Sequence, residues 1–377
     1  MRKVPKFQFK EFSDEWKEKK LGEFGKISMC KRIMKDQTTL TGDIPFYKIG
    51  TFGKKADAYI DKKLFEEYKE KYSFPKKGDI LLSASGTIGR TVIYDGKPAY
   101  FQDSNIVWIA TNEKIILNSF LNYLYSNIKW TIENTTIARL YNDNLANMKV
   151  NIPFLQEQEK IANFLSSVDK KISLTEEKLE LFREYKKGVM QKIFSQELRF
   201  KDSNGNDYPE WEEKRLGEIL TSKSSAISQN TLKNNEGIYS VYGAIGKIKN
   251  INFYENENEY IGIVKDGAGV GRTFLCEKKS SVLGTLNYLE LKTKSIYLKF
   301  AYYILKQIDF SKYIVGSSIP HIYFKDYKNE KIQLPILEEQ QKIADFLSSI
   351  DSKIESIEKE LEGLREFKRG LLQQMFV

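Results

Sequence analysis

Apolar residues recur at alternating spacings of four and three along two long stretches of this chain. That spacing is the period of a coiled-coil seam and is narrower than the apolar stripe of an ordinary surface helix. Pro153 and Pro335 precede the two stretches and mark the helix starts, because a helix interior rejects proline. The predicted seam positions are Ile161, Leu165, Val168, Ile172, Leu179 and Phe182 in the first helix and Ile343, Leu347, Ile350, Ile354, Leu361 and Leu364 in the second.

Neither predicted helix has a reason to exist alone in a compact domain. A helix over residues 156–194 would measure roughly 58 Å at about 1.5 Å per residue. Two helices with like seams can bury them against each other. We therefore expect an antiparallel pair, related by a pseudo-twofold axis, that acts as a spacer of fixed length.

Lysine breaks the seam at the same place in both stretches, at Lys186 and Lys368, and Thr175 breaks it in the first stretch alone. The interpretation that we favour is that the seam frays at the lysines and their stems extend to solvent. The alternative is that the lysines set the register of the helices.

The chain repeats itself at a constant offset. The segment that begins at Pro153 returns 182 positions later at Pro335 and keeps this offset, without a gap, through Gly188 and Gly370. A shorter tryptophan motif, residues 16–23, recurs as residues 211–218. The order is tryptophan motif, variable region and long helix, twice over. The first tryptophan motif would fit directly after the last helix, so we expect the two termini to lie near each other.

The two variable regions are predicted to be α/β or β-rich on a shared frame. In each, two buried strands flank a glycine turn, and an apolar helix follows. The strands are 79–82 and 105–109 in the first region and 260–264 and 287–291 in the second, the turns are 85–91 and 267–273, and the helices are 119–125 and 299–305. The expected fold is α/β (α+β), with two globular domains and two long antiparallel coiled-coil helices in a pseudo-twofold repeat. We expect the first globular domain at 1–155, the first long helix at 156–196, the second globular domain at 197–337 and the second long helix at 338–377.

Charge and cysteine content bear on the binding partner and the cellular compartment of the protein. The chain has 60 lysines and arginines against 51 aspartates and glutamates, a formal net charge of +9. This excess favours an anionic partner such as nucleic acid, with plain solubility as the alternative. Cys30 and Cys276 form neither a metal motif nor a disulfide framework, so a reducing cytoplasm is expected. We find no secretion signal and no apolar run long enough for a membrane span, so no membrane association is expected.

The sequence contains near matches to catalytic motifs but no complete one. Residues 151–154 approach the Asn-Pro-Pro-Tyr motif of adenine methyltransferases but lack the second proline, and their repeat at 333–336 indicates a helix start. The glycines at 267–271 do not complete a dinucleotide-binding loop, and there is no P-loop. With a single histidine and no thiol cluster, we predict neither an enzyme nor a metal site.

The two variable regions, the repeated helices and the glycine-turn frame resemble the specificity subunit of type I restriction-modification systems. The strongest marks are the segments 152–158 and 334–340 at the helix starts, supported by Ile-Gly-Arg at 88–90 and Val-Gly-Arg at 270–272. The resemblance covers essentially the whole chain.

The resemblance implies a non-catalytic subunit with two target recognition domains, each of which reads half of a bipartite, asymmetric site in double-stranded DNA. The helices would set the unread gap and hold two modification subunits, which methylate adenine at N6, and restriction subunits would join them. S-adenosylmethionine, ATP and Mg would be used by those partners, with no cofactor bound by this chain.

Candidate DNA-binding residues follow from the chemistry of recognition. Lysine and arginine contact phosphates, whereas base edges are read by cationic, amide and hydroxyl side chains. The candidates are Lys31, Arg32, Lys35, Ser85, Thr87, Arg90, Gln102, Asp103, Thr135, Thr136 and Arg139 in the first region and Lys223, Ser224, Lys247, Arg272, Thr285, Ser317, Ser318 and His321 in the second.

Some of these positions have a structural alternative. The small residues beside Arg90 and Arg272 would let the backbone approach DNA, but these turns could merely connect strands. Asn105 and Asn287 share a position in both copies, so we expect a turn or strand hydrogen bond there and not base reading. His321, the only histidine, is more typical of a hydrogen-bonded surface residue than of a catalyst.

Two other hypotheses remain open. A coiled-coil interaction protein that binds no DNA would explain the helices but not two matched yet diverged domains on a basic chain. An inactive or phase-variable specificity subunit would carry the same sequence features.

Overall fold

The computed structural model describes residues 4–130 and 140–377. The chain divides into two compact units, unit 1 with residues 1–177 and 359–377 and unit 2 with residues 178–358. Each unit is a mixed helix-and-strand domain that includes part of both long helices, which confirms the predicted fold class. Among the described residues, no helix combines the length and the apolarity that crossing a bilayer requires.

Unit 1 is built around a four-stranded antiparallel sheet in the order β2-β9-β6-β7. Both central strands are apolar on both faces, as the sequence predicts. Leu82 and Val107 pack toward the long helices, and Leu81 and Trp108 pack on a second sheet of order β3-β5-β4-β8. The elements are β1 Lys17–Lys20, β2 Gly25–Ser28, β3 Thr38–Thr39, β4 Ile44–Tyr47, β5 Tyr59–Ile60, α1 Lys62–Lys71, β6 Ile80–Ser83, β7 Thr91–Ile93, β8 Tyr100–Phe101, β9 Ile106–Thr111, α2 Asn118–Asn127, α3 Asn142–Asn147, β10 Lys149–Ile152 and α4 Leu155–Phe194.

Unit 2 repeats this arrangement with the sheet β12-β18-β15-β16 and a second sheet β14-β13-β17. Ile261 and Leu289 face the long helices, whereas Tyr260 and Tyr288 face the second sheet. The elements are β11 Glu212–Arg215, α5 Leu216–Ile219, β12 Leu220–Ser224, β13 Tyr239–Gly243, β14 Gly246–Ile251, β15 Tyr260–Val264, β16 Thr273–Cys276, β17 Ser281–Val282, β18 Leu286–Leu291, α6 Leu298–Gln307, α7 Phe324–Tyr327, β19 Lys331–Leu334 and α8 Leu337–Met375. The predicted strands and apolar helices are therefore present in both units.

The long helices α4 and α8 run antiparallel within each unit. In unit 1, Asp169 and Glu176 of α4 pair with Lys368 and Arg365 of α8, so the numbering rises on one helix as it falls on the other. None of the twelve predicted seam side chains is exposed. Eight are buried, and Ile172, Phe182, Ile354 and Leu364 are half-buried.

The lysine that breaks the second seam lies in a polar network of unit 1. The Nζ atom of Lys368 lies 2.5 Å from Oδ1 of Asp169 and 5.8 Å from the centre of the Tyr123 ring. The Tyr123 hydroxyl donates to Oδ2 of the same aspartate at 2.8 Å. We call this set the unit 1 triad. It joins the domain helix α2 to both long helices.

Unit 2 contains the matching triad. Lys186 forms an ion pair with Asp351, and its Nζ atom lies 5.4 Å from the centre of the Tyr303 ring. The Tyr303 hydroxyl donates to Asp351 at 2.7 Å. The interpretation that we favoured from sequence, a frayed seam with lysines in solvent, is therefore wrong. The Lys186 side chain is 20% exposed because a carboxylate and an aromatic ring hold it on the packed side.

The tryptophan motifs recur because each binds the start of a long helix. In unit 1 the indole of Trp16 donates to the buried carboxylate of Glu157 at 3.3 Å, and in unit 2 Trp211 donates to Glu339 at 3.0 Å. The next residue of each helix is a buried glutamine. Gln158 donates to the Pro153 and Ile115 carbonyls and accepts from the Leu117 amide. Gln340 makes the same three bonds with Pro335, Ser295 and Tyr297.

The two termini meet in unit 1, as the repeat predicted. The Phe7 amide donates to the Gln374 carbonyl at 2.9 Å. The ring of Phe376 packs on Trp16 and Phe120, with centroid distances of 6.0 and 5.4 Å.

Candidate nucleic-acid interface

The loops of unit 2 that carry candidate residues converge at one end of the β12-β18-β15-β16 sheet. The Lys265 amide donates to the Thr285 carbonyl, and the Gly267 amide donates to the Pro320 carbonyl, both at 2.9 Å. His321 Nδ1 lies 2.8 Å from Oδ1 of Asp266. The structure therefore brings Thr285, His321 and the glycine turn together. Two further candidates, Ser317 and Ser318, are exposed on the same loop as His321.

Arg272 joins a hairpin to this end of unit 2. Its Nη1 atom donates to the Ala244 carbonyl at 2.7 Å, at the tip between β13 and β14. Ile245, the next residue, is 82% exposed, and Lys247 lies 3.6 Å from a carboxylate oxygen of Glu277. The hairpin therefore presents an apolar tip and a cation side by side.

The two candidates on β12 are paired with β18. The Ser224 hydroxyl donates to Oδ1 of Asn287 at 3.1 Å. Lys223 Nζ lies 2.6 Å from the Glu290 carboxylate, with the lysine side chain 63% exposed.

Unit 1 carries a groove of about 660 Å³ that gathers four candidate residues, Arg32, Lys35, Gln102 and Asp103. The groove also includes Lys48, whose ammonium lies 2.9 Å from Asp57. Arg32 Nε donates to Oδ2 of Asp103 at 2.9 Å. The Gln102 side chain instead accepts from the Ile49 amide at 2.9 Å, so its oxygen is already bonded to the adjacent loop.

The other described candidates of unit 1 lie around the glycine turn and the start of the groove. The buried Ser85 hydroxyl donates to Oδ1 of Asn105 at 2.8 Å. Asn105 and Asn287 both make side-chain hydrogen bonds within their domain, but the prediction that they share a position is wrong, because the residue of unit 2 that matches Asn105 is Thr285. Thr87 is exposed at the tip of the turn. Lys31 Nζ lies 5.2 Å from the centre of the Tyr72 ring. Thr135, Thr136 and Arg139 lie outside the described residues.

The glycine turns contact their own domain. Gly89 has a φ of +87°, and a Cβ there would come within 2.2 Å of the Trp130 indole, while Gly271, with a φ of +83°, is packed against Phe310 in the same way. Arg90 Nη1 donates to the Phe52 carbonyl at 3.0 Å, as Arg272 does to Ala244. Both arginines therefore anchor a neighbouring loop, a structural role beyond the connection of strands.

The cysteines are internal. Burial raises the pKa of both the Cys30 and Cys276 thiols to about 12, so neither is a thiolate near neutral pH. Over residues 4–130 and 140–377, no cluster of three or more His, Cys, Asp or Glu side chains could hold a metal ion.

Sequence reasoning missed several residues at these surfaces. Ile245, Met34 and Leu40 are large apolar side chains with exposed fractions of 82, 56 and 86%, and the last two line the unit 1 groove. The spacing of apolar residues along a sequence predicts buried positions, so it cannot identify apolar side chains that are exposed. The turn at Gly246 between two polar-apolar alternating runs was the available signal for the hairpin.

Residues 13–181 and 208–366 each match the family model described as the type I restriction modification DNA specificity domain. The chain belongs to this family. Its members are DNA-recognition subunits of type I restriction-modification systems and not catalytic ones, as the sequence predicted.

Individual relatives agree with this membership. A putative type I restriction enzyme specificity subunit of Haemophilus influenzae is 62% identical over 150 residues, which cover 40% of this chain and 39% of that protein. The chain thus spans less than half of that relative. The type I restriction enzyme MjaVIII specificity subunit of Methanocaldococcus jannaschii is 27% identical, with 95% of this chain and 91% of that protein covered.

Solved structures share the fold. The S subunit of a type I restriction-modification system from M. genitalium matches with a TM-score of 0.69 at 20% identity, over 99% of both chains. A chain from a structure that addresses complex assembly and conformational transition of the type I R-M system matches with a TM-score of 0.53 at 16% identity, over 96% of this chain and 97% of that chain.

Proposed function

We propose that each unit reads one half of a bipartite, asymmetric site in double-stranded DNA, and that α4 and α8 set the unread gap between the halves. The observation that carries this proposal is a common frame with different side chains at the same end. In the loop before the central strand, unit 1 has Asp103 and Ser104 where unit 2 has Gly284, between residues that make matching hydrogen bonds. Two modules that share a scaffold but present different donors and acceptors suit two different base sequences.

We further propose that the long helices hold two copies of a modification subunit. Tyr185 on α4 and Phe367 on α8 occupy the same repeat position and are 51% and 52% exposed, although the neighbouring seam is packed. Exposed aromatic side chains are common anchors of protein interfaces, and equal positions suit two equal partners. Adenine methylation with S-adenosylmethionine, and restriction with ATP and Mg, would belong to the partner subunits.

The experiment that tests the proposal is co-expression of this chain with its modification subunit, followed by mapping of N6-methyladenine across a genome. We expect one bipartite motif with two different halves and a constant gap. Exchange of residues 1–150 for the corresponding segment of another specificity subunit should change one half alone. A change in both halves, or in neither, contradicts modular reading.

Salt dependence separates this function from that of a scaffold that binds no DNA. The affinity of a DNA reader should fall linearly on a logarithmic plot as salt rises, because phosphate contacts release counterions. A protein-only scaffold should show no duplex binding at any salt concentration.

A further inference from the structure

Arg32 and Asp103 form an ion pair in the unit 1 groove, and the two side chains differ widely in their exposed fraction. The arginine side chain is 66% exposed, whereas the aspartate side chain is 18% exposed. Only Nε of Arg32 is used, at 2.9 Å from Oδ2 of Asp103, and no hydrogen bond to the described residues occupies Nη1 or Nη2. The guanidinium is therefore held from one side with its terminal donors available.

This geometry matches the demands of guanine recognition. Guanine presents two acceptors, O6 and N7, at the major-groove edge, and an arginine fork satisfies both with two parallel hydrogen bonds. A carboxylate that binds one edge of the guanidinium fixes its plane, so less side-chain freedom is lost when a base is bound. Lysine cannot form the same fork, because its ammonium is a point charge.

The loop that carries Asp103 is held in place. Gln102 is bonded to the adjacent loop through both its backbone amide and its side chain, to Tyr47 and Ile49 respectively. Ser104 has a φ of +54°, a left-handed conformation that a residue other than glycine adopts only when its surroundings demand it. The aspartate is therefore a fixed support for the arginine.

Unit 2 has no such pair at the corresponding place. Between residues with matching hydrogen bonds, unit 2 has Gly284 where unit 1 has Asp103 and Ser104, and a glycine carries no charge that could orient a guanidinium. The nearest cation on the neighbouring strand, Lys223, pairs with Glu290 and offers no planar fork. The feature thus distinguishes one unit from the other.

We propose that Arg32, oriented by Asp103, recognises a guanine in the half-site bound by unit 1. This inference rests on the proposed function. It assigns one G·C pair to one half of the site and gives Asp103 a positioning role.

The test uses the complex with the modification subunit and duplexes that contain the mapped site. Each guanine of the two half-sites is replaced in turn by 7-deazaguanine, which keeps base pairing but removes the N7 acceptor. For the wild-type complex we expect one replacement, in one half only, to weaken binding about tenfold or more. Arg32→Lys should abolish sensitivity to that replacement and relax the methylated motif at that position alone. Asp103→Asn, which keeps an acceptor but loses the charge, should give an intermediate effect.

Lys331→Met supplies the matched control, since Lys331 pairs with Glu213 in unit 2, is not a DNA-binding candidate, and has a side chain 67% exposed, against 66% for Arg32. It should leave the guanine position unchanged. Continued reading of the other half-site shows that each variant is folded. If the wild-type complex binds no specific duplex, the proposed function fails. If it binds, but Arg32→Lys retains full discrimination or weakens all duplexes equally, the arginine contacts phosphate or nothing, and the guanine assignment is overturned.

Discussion

At the residue scale, the repeat places one buried glutamate in two different electrostatic settings. Glu339 receives hydrogen bonds from Arg199 at 3.3 and 2.9 Å in addition to that from Trp211. In unit 1 Gln8 takes the place of this arginine, and its Nε2 atom donates to Oε1 of Glu157 at 3.1 Å. Burial raises the pKa of Glu157 above its usual range, although the Gln8 and Trp16 hydrogen bonds oppose the shift.

The same substitution should therefore have opposite effects at the two sites. Because the folded pKa of Glu157 is raised, its ionisation opposes folding as pH rises through that pKa, and this cost is absent below the unfolded value of about 4.3. Glu157→Gln should stabilise the protein at pH 8 and have no such effect at pH 4. Glu339→Gln should cost about 3 kcal/mol near neutral pH, because Arg199 loses its charged partner.

Urea unfolding at pH 4 and pH 8 measures both changes. The two variants act as controls for each other, since each removes one charge from a buried glutamate at the same helix position. Equal destabilisation by both would mean that the neighbouring Gln8 or Arg199 does not decide the outcome.

At the element scale, the triads explain why lysine interrupts an apolar seam twice. Each triad takes its tyrosine from a domain helix, its aspartate from one long helix and its lysine from the other. Burial, together with the neighbouring carboxylate, raises the pKa of both Tyr123 and Tyr303, so both hydroxyls keep their protons and donate. A polar contact of this kind favours one register of the helices, because a shift would leave a half-buried charge without its partner.

A double-mutant cycle on Lys186 and Asp351 should show this coupling. We expect an interaction energy of about 1–2 kcal/mol for Lys186→Met with Asp351→Asn, measured by chemical unfolding. Arg183 and Glu358 provide the control, since they pair between the same helices with side chains that are 47 and 44% exposed. Their coupling should stay below about 0.5 kcal/mol. A frayed seam predicts no coupling at either pair and a gain in stability from Lys186→Met.

At the scale of the whole molecule, the repeat and the apolar period predicted the helices, the paired strands and the meeting of the termini, because these depend on spacing along the chain. The role of Lys186 could not be predicted, since its partners come from two other elements. The Arg32–Asp103 pair was likewise hidden, although both residues were candidates. Which candidates face a groove, and which anchor a loop as Arg90 does, depends on contacts between distant segments and not on residue type.

The junction between the termini copies a junction inside the chain. The Phe7 amide donates to the Gln374 carbonyl at 2.9 Å, and the Leu198 amide donates to the Lys192 carbonyl at 3.0 Å. Lys192 and Gln374 are 182 positions apart, and Phe7 and Leu198 each precede a Gln/Arg-Phe-Lys segment. The repeat therefore extends to residues 7–10 and 198–201, where the pattern is too short to be recognised alone.

This match predicts that the chain tolerates circular permutation. Four residues connect Ile193 to Leu198, and fusion of Val377 to Met1 would leave eight between Met375 and Phe7, so no added linker is needed. New termini between Asn204 and Gly205 would open an exposed turn while leaving the Arg199–Glu339 pair intact. We expect the permutant to melt within about 5 °C of the parent, a shift that corresponds to roughly 1–2 kcal/mol, and to direct methylation to the same motif. A permutant opened within α4, between Ser173 and Leu174, is the control and should fail, because it breaks a packed helix. If both fail alike, the contact between Phe7 and Gln374 does not substitute for a covalent connection.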